Sequence, residues 1–431
     1  MVPLPPLENT GYNGLMSPRL DSVTDTMIAK SESSSEGDLR VLNVIVAAPN
    51  DREGAVRAGL QLGDHLAEFA SVDTVKMAGR YDTELASELR LQHPFYQIPS
   101  QTFPRDLAKR LIQSEKNYSN SLIWTQLTPP DPLDSYDIAH IHNAVPLAGM
   151  VAAALQCEMN DLPYCVTTHG ISKIPELPKT MNMPWVAKLA FRAGFLSPYR
   201  TVLRRASHLF ALSASDADIL NRKFPAQSVS VVPNGVQPNP PTRDEREQLE
   251  STLGISKSDP MLLFVGKVLP GKGVQDLLAA NRMVACECEF VLAGSPMDSK
   301  LAERLQTSNI RYLEHVSGSL LNKLYRRADV FVFPTRSDVF PLVTLEAMAA
   351  ATPVISTTVG GIPEQITEET GVLVEPESPA LLAEAVERII SDVERRRAMG
   401  KAAYERAMQH YSWRSIAETT AERYSRILSS T

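Results

Sequence analysis

Two lysines in a glycine-rich loop are the first residues with usable chemistry. Phe264-Val-Gly-Lys-Val-Leu-Pro-Gly-Lys-Gly273 reads as a strand that breaks into a Gly/Pro loop and reopens as a helix at Val274. Glycines let backbone approach a ligand closely, a helix N-terminus favours an anion, and Lys267 and Lys272 supply point charges, so a diphosphate fits this segment. The bland alternative is a solvated Gly-Lys loop. In Pro334-Thr-Arg-Ser-Asp-Val-Phe-Pro-Leu-Val-Thr-Leu-Glu-Ala-Met-Ala349 two carboxylates, Asp338 in a loop and Glu346 in a helix, stand eight residues apart. Carboxylates so placed accept hydrogen bonds from sugar and ribose hydroxyls; for Glu346 alone the alternative is a solvated helix face. His169 ends the run Tyr164 to Thr168, and alternation puts His140 and His142 on one face of the strand Ile138 to Ile141 and its exit. His140 reads as a satisfied core histidine. Asp216-Ala-Asp218 falls on a helical pattern and reads as solvated, not as a metal site.

Strands must carry these groups. Val41 to Pro49 is a β-branched run stopped by proline, the pattern of a strand buried on both faces of a parallel sheet. A helix over Gly54 to Phe69 follows, then strands near Ile138 to Ile141, Tyr164 to Thr168, His208 to Leu212 and Val229 to Val232, with helices over Pro146 to Met159 and Ser213 to Phe224. Strands alternating with helices imply βαβ units. Prolines from Pro233 to Pro241 and a charged run interrupt the pattern. It restarts at Met261 to Val265, Glu289 to Ala293, Val330 to Phe333, Pro353 to Ser356 and Gly371 to Val374, before helices over Pro379 to Met408 and Ser415 to Leu428. The expected organisation is a disordered tail over 1–40, a doubly wound α/β domain over 41–232, a linker over 233–258, a second such domain over 259–410 and a closing helix over 411–431. Ligands of open parallel sheets bind at the carboxyl ends of the strands, where all these motifs lie.

The lysine loop, the spaced carboxylates and Val359-Gly-Gly-Ile-Pro-Glu364 occur in the order and spacing of the retaining glycosyltransferases of family 4, which the chain resembles over about residues 41 to 428. Supporting segments are Asn309 to Ser317, Leu324 to Phe333, Val231 to Val236, Ala139 to His142 and Thr167 to Gly170. The resemblance implies the GT-B fold, two Rossmann-like domains facing across a cleft, with an acceptor half first and a nucleotide-sugar half second. It implies that Gly266, Lys267 and Lys272 meet the donor diphosphate, Lys267 standing where the family usually has arginine, so that charge is kept and bidentate geometry lost. Glu346 would bind the ribose, backbone near His315 and Val316 the base, and backbone at Phe340 and Leu342 the donor sugar. His169 and Asp338 would be the catalytic pair beside the transferred sugar, with Gly54 and His142 on the acceptor side. Two departures stand here: Asp338 replaces the family's glutamate, and Pro341, which has no N–H, replaces a glycine. Glu364 is family-typical without an assigned role. The function implied is sugar transfer from a nucleotide-diphosphate-sugar to a glycan or lipid-linked acceptor, with retention by front-face attack and no metal or other cofactor. A non-catalytic GT-B partner that scaffolds an active transferase is the alternative, motivated by Asp338 and Pro341; an epimerase fits less well.

Composition bounds these readings. Of 431 residues, 43% are hydrophobic, and 43 basic against 50 acidic residues give a net charge of −7, so whole-chain charge argues against a nucleic-acid partner. The longest apolar stretch, Ala144 to Leu155, is far shorter than the ~20 residues that span a bilayer. Cys157, Cys165, Cys286 and Cys288 form no C-x-x-C pair and read as reduced thiols in a cytoplasmic protein. The average charge conceals a segment without acidic residues, from Leu177 to Ser215, that carries Lys179, Lys188, Arg192, Arg200, Arg204 and Arg205 among aromatics. Residues 179–205 read either as a face for an anionic membrane, peripheral at its inner surface, or as core helices with solvated cations.

Overall fold

The structure is a computed structural model that describes residues 39–47, 52, 54–77, 83–98, 101–102, 123–124, 127–142, 147–170, 185, 188–189, 192–225, 227–241, 249–250, 254, 259–314 and 316–430. The expected tail lies outside these residues except for its last two, Arg40 already belonging to the first strand. Most of the expected linker after residue 241, Lys179 and His315 also lie outside them.

The first sheet contains β1 (Arg40–Val46), β2 (Ser71–Met77), β3 (Phe95–Ile98), β4 (Ile138–His142), β5 (Tyr164–Thr167), β6 (His208–Ala211) and β7 (Val229–Val231), in the order β3-β2-β1-β4-β5-β6-β7. The second contains β8 (Met261–Val265), β9 (Glu289–Ala293), β10 (Arg311–Leu313), β11 (Val330–Phe333), β12 (Val354–Thr357) and β13 (Gly371–Val374), in the order β10-β9-β8-β11-β12-β13. Every pairing within both sheets is parallel. Helices cover the faces: α1 (Gly54–Leu66), α2 (Thr83–Leu89), α3 (Leu147–Met159), α4 (Ser197–Arg205) and α5 (Ala214–Lys223) on the first sheet. Around the second are α6 (Val274–Asn281), α7 (Ser299–Gln306), α8 (Gly318–Arg327), α9 (Leu342–Ala349), α10 (Ile362–Gln365), α11 (Pro379–Ser391) and α12 (Val393–Tyr411), followed by α13 (Trp413–Ser429). Burial on both faces explains the unbroken apolar runs: Val41, Leu42, Val44, Ile45 and Val46 are all fully buried.

In each sheet the strand order reverses beside the first strand, between β1 and β4 and between β8 and β11. The connections there leave in opposite directions and open a crevice at the carboxyl ends, the place where such sheets bind ligands. The residues singled out above follow these strands directly: Gly54 after β1, His142 at the end of β4, Lys267 and Lys272 after β8, Asp338 after β11.

Three features differ from the sequence expectation. Strands β2 and β3 were not anticipated; Asp73, Thr74 and Lys76 break the apolar run of β2, although Lys76 is buried. The single helix expected over Pro379 to Met408 is two, because the Asp392 side chain accepts a hydrogen bond from the Arg395 amide at 2.9 Å and starts a new helix. The closing helix is part of the amino-terminal lobe: Trp413, Ile416, Ala417 and Tyr424 pack with Val41, Ile138 and Phe210. The chain therefore crosses between lobes twice, and the crossings are stitched where the Val236 amide donates to the Tyr411 carbonyl at 2.6 Å.

Candidate active site

The lysine loop and the carboxylate loop are held against each other. Gly273 has φ 72°, and a Cβ there would fall 1.8 Å from the Pro334 carbonyl oxygen, so only glycine lets the two loops meet. The Arg336 amide donates to the Gly271 carbonyl at 2.9 Å, and its guanidinium grips Asp276 through two bonds of 2.9 and 2.7 Å. The Lys272 ammonium donates to both carboxylate oxygens of Asp338, at 2.7 and 2.8 Å, and the Thr335 hydroxyl donates to Asp338 Oδ2 at 2.7 Å. Asp338 thus aims the lysine. Both side chains stay partly open, 25% for Lys272 and 16% for Asp338, so an anion can reach the ammonium. Lys267 and Gly266 lie in the same loop, directly after β8, with Gly266 packed against Gly294 through its carbonyl.

Glu346 lies on α9, the helix that follows the Asp338 loop. Its Oε2 accepts from the Tyr325 hydroxyl at 2.8 Å, and its Oε1 lies 3.9 Å from Arg57 Nη2. Burial, then the adjacent Glu346 carboxylate, hold the Tyr325 phenol well above its ordinary pKa, so it remains a donor. Arg57 comes from α1 of the other lobe and also pairs with Glu88. Arg57, Asn239, Gly318, Leu342, Glu346 and Trp413 line a solvent-open cavity of about 80 Å³ that both lobes share; Lys272 and Asp338 are outside it. The sequence alone assigns no site role to either Arg57 or Tyr325: Arg57 falls in no recognisable motif, and Tyr325 lies in the supporting segment Leu324 to Phe333 without any signal of its contact with Glu346.

The loop from Asp338 to Leu342 meets the amino-terminal lobe at several points. Gly170, beside His169, has φ 96° and leaves the ideal Cβ position 3.0 Å from Val339 Cγ2; at Gly54 the nearest group is Leu342 Cδ1, 3.8 Å away. The Phe340 ring is buried against Tyr411, its carbonyl accepts from Asn234 Nδ2 at 3.1 Å, and Pro341 caps α9 with φ −65°. Contacts from Phe340 to a ligand would therefore be made by backbone. Val316 precedes α8 and is half-buried. Glu364, without a role in the sequence, accepts a bond from the Ala214 amide at the start of α5, at 2.9 Å, and so ties the lobes together.

The histidines form one cluster. His140 is core: Nδ1 lies 2.5 Å from the Tyr424 hydroxyl and Nε2 lies 2.6 Å from Thr167 Oγ1. His142, 1% exposed, places Nδ1 at 3.2 Å from Nε2 of His169. His169 has φ 41° and keeps part of its surface open. Burial pushes His169 down to about 4 and, together with the neighbouring His169 and His208, His140 down to about 3. The unfolded chain binds protons at these sites near pH 6.5 while the folded chain does not, so folded stability is full above that value and is lost as pH falls toward 4. A melting series from pH 7 to pH 4.5 is expected to show a steady fall in Tm that is blunted in His140→Gln. An unchanged Tm would reject neutral burial.

Residues 245–406 match the profile of glycosyl transferases group 1, and residues 53–239 match that of glycosyltransferase family 4. The chain is 30% identical over 340 residues to an alpha-maltose-1-phosphate synthase of Mycolicibacterium smegmatis, covering 72% of this chain and 84% of that one. It is 31% identical over 303 residues to a D-inositol 3-phosphate glycosyltransferase of Corynebacterium diphtheriae, covering 66% and 69%. The chain belongs to the family 4 glycosyltransferases. Among solved structures, this glycosyltransferase resembles Anabaena HepE in complex with UDP and glucose, with a TM-score of 0.68 at 17% identity over 90% of this chain and 100% of that one. It also resembles the sucrose-phosphate synthase of Thermosynechococcus elongatus, with a TM-score of 0.67 at 22% identity over 91% and 100%. These likenesses establish the fold as GT-B. The glycosyltransferase carries its departures, Asp338 and Pro341, without losing the lysine loop or the Glu346 helix. Among the described residues no helix is long and apolar enough to cross a membrane.

Proposed function

We propose that this glycosyltransferase moves a sugar from a nucleoside-diphosphate donor to a hydroxyl of a glycan or lipid-linked acceptor, with retention at the anomeric carbon. The observation that carries the reading is one continuous segment, Asp338 to Glu346, gripped at its start by Lys272, at its end by Tyr325 and reached by Arg57 across the cleft. In this reading Lys272 and Lys267 meet the diphosphate, Glu346 the ribose, backbone at Val316 the base, and His169 the transferred sugar. The bond between the anomeric carbon and the phosphate oxygen breaks with its electron pair passing to the diphosphate. The acceptor oxygen bonds the same face of that carbon, and its proton passes to the departing phosphate oxygen. Cations already in place stabilise the charge that develops. Pro341 supplies no amide, so hydroxyl recognition falls to the amides of its neighbours and the donor sugar is selected differently from relatives with glycine there. A thermal-shift screen with UDP, GDP and ADP and their glucose conjugates tests the reading, because a ligand bound only by the native state raises Tm. One nucleotide should stabilise the protein, and its sugar conjugate should release nucleoside diphosphate; no shift and no release across the panel would reject it.

The partner proposed for residues 179–205 is an anionic membrane surface. In support, Trp185 is 77% exposed, Leu189 61% and Met159 81%, and they accompany exposed Arg192, Arg200 and Arg204. Helix α4 buries Tyr199, Val202 and Leu203 on its opposite side, so its cations face outward. Arg205 is paired with Glu158 at 2.8 Å, which leaves Arg200 and Arg204 as the better test. At about 1 kcal/mol per basic residue near an anionic surface, Arg200→Glu with Arg204→Glu should weaken co-sedimentation with phosphatidylglycerol vesicles at low salt by at least about tenfold. Equal binding by the double variant would reject the surface.

A further inference from the structure

We propose that His142 is a positioning residue that donates its Nδ1 proton to Nε2 of His169 and holds His169 as the Nδ1–H tautomer, ready to donate to a sugar hydroxyl. The part that concerns the sugar rests on the proposed role of His169. Strand pairing brings the two rings together: β4 and β5 run parallel with His142 opposite Thr167, and the chain turns two residues later at His169, whose φ of 41° is unusual for a residue with a side chain.

Two neutral arrangements satisfy the 3.2 Å contact between His142 Nδ1 and His169 Nε2. In one, His142 donates from Nδ1 and its Nε2 is a bare acceptor. In the other, His169 donates from Nε2, and His142 must carry its proton on Nε2. That atom is buried and has no hydrogen-bond partner among the described residues. An orphaned buried N–H is rarer than an under-satisfied acceptor, so the first arrangement wins. Burial holds both rings below their ordinary pKa and excludes a charged bridge at neutral pH. His140 cannot compete for the contact, because both its nitrogens are occupied by Tyr424 and Thr167. The consequence falls on His169: with Nε2 accepting, its ring proton is on Nδ1, for which no hydrogen bond is recorded among the described residues. His142 thus decides whether the free nitrogen of His169 gives or takes a proton, because the tautomer of a histidine is set by the hydrogen bond its other nitrogen makes.

Long-range ¹H–¹⁵N spectra of the selectively labelled wild-type protein at pH 7 read the tautomer directly. The expected result is a protonated Nδ1 and a bare Nε2 on His169; the reverse pattern overturns the proposal, with or without any variant. Two substitutions then separate positioning from packing. His142→Asn keeps an amide donor near the position of Nδ1, and His142→Phe keeps the ring volume without it. The Phe variant should lose about tenfold in kcat, with donor KM little changed, and the Asn variant should recover most of that loss. Equal losses in the two, or none in the Phe variant, overturn the positioning role. If His169→Ala turns over at the wild-type rate, it is the sugar contact of His169 that fails, even where the spectra show the tautomer as stated.

Discussion

Lys272→Ala is expected to lower kcat/KM for the sugar donor by about 10²–10³-fold, the usual loss when one preorganised charge-stabilising group is removed from a leaving-group site. The geometry leaves no understudy among the neighbouring arginines. Arg336, two residues before Asp338, is committed to Asp276 and lies 3.4 Å from Glu377. Lys267 remains in the loop, so catalysis should be weakened, not abolished. Folding should be little affected, because Asp338 keeps the Thr335 hydroxyl as a donor and some access to solvent once the lysine is gone. The loss must therefore appear in rates and not in Tm. Asp338→Asn supplies the control: the lysine keeps its charge and loses its aim, and the loss should be smaller than that of Lys272→Ala. Initial rates of nucleoside diphosphate release over a range of donor concentrations measure both. A Lys272→Ala enzyme within about fivefold of wild type would remove the diphosphate from this loop.

Glu346→Ala should weaken binding of the free nucleoside diphosphate by about 10- to 100-fold, since hydrogen bonds to a charged group are each worth ~1.5–3 kcal/mol. On the proposed assignment of Glu346 to the ribose, its contacts do not involve the bonds that change and are as strong in the ground state as in the transition state, so the effect should fall on KM more than on kcat. Glu346→Gln keeps the shape and an acceptor oxygen for Tyr325 but not the charge, and should lie between. Removing the carboxylate also frees Arg57, which retains Glu88 as a partner. Calorimetric titration with the nucleotide found in the thermal-shift screen is the measurement; affinity within about twofold of wild type in Glu346→Ala would place the ribose elsewhere.

Much of this architecture was legible because parallel strands buried on both faces read as continuous apolar runs. Met261–Val265, Glu289–Ala293, Val330–Phe333 and Gly371–Val374 have the boundaries that their patterns indicate. Strand β2 was hidden for the opposite reason: Asp73 and Lys76 interrupt it, and only the folded environment, with Tyr136 donating to Asp73 at 2.8 Å, accounts for them. The loops that bear Lys272, Asp338 and His169, and the helix that carries Glu346 behind one of them, could be placed at strand ends by position in sequence alone, since a residue just past a parallel strand has one end of the sheet to occupy.

The sequence by itself determined which residues lie at the mouths of the strands and which chemistry their side chains offer. Only the tertiary structure decided their partners. Asp338 turned out to grip Lys272, 66 residues away in the chain. Arg57 reaches Glu346 from the other lobe, Glu364 caps a helix 150 residues earlier, and His142 addresses His169 across two paired strands. Periodicity and composition report the local environment of a segment. Distances between side chains on different segments depend on how two sheets pack and where their loops meet, which is set by the closure of the whole chain.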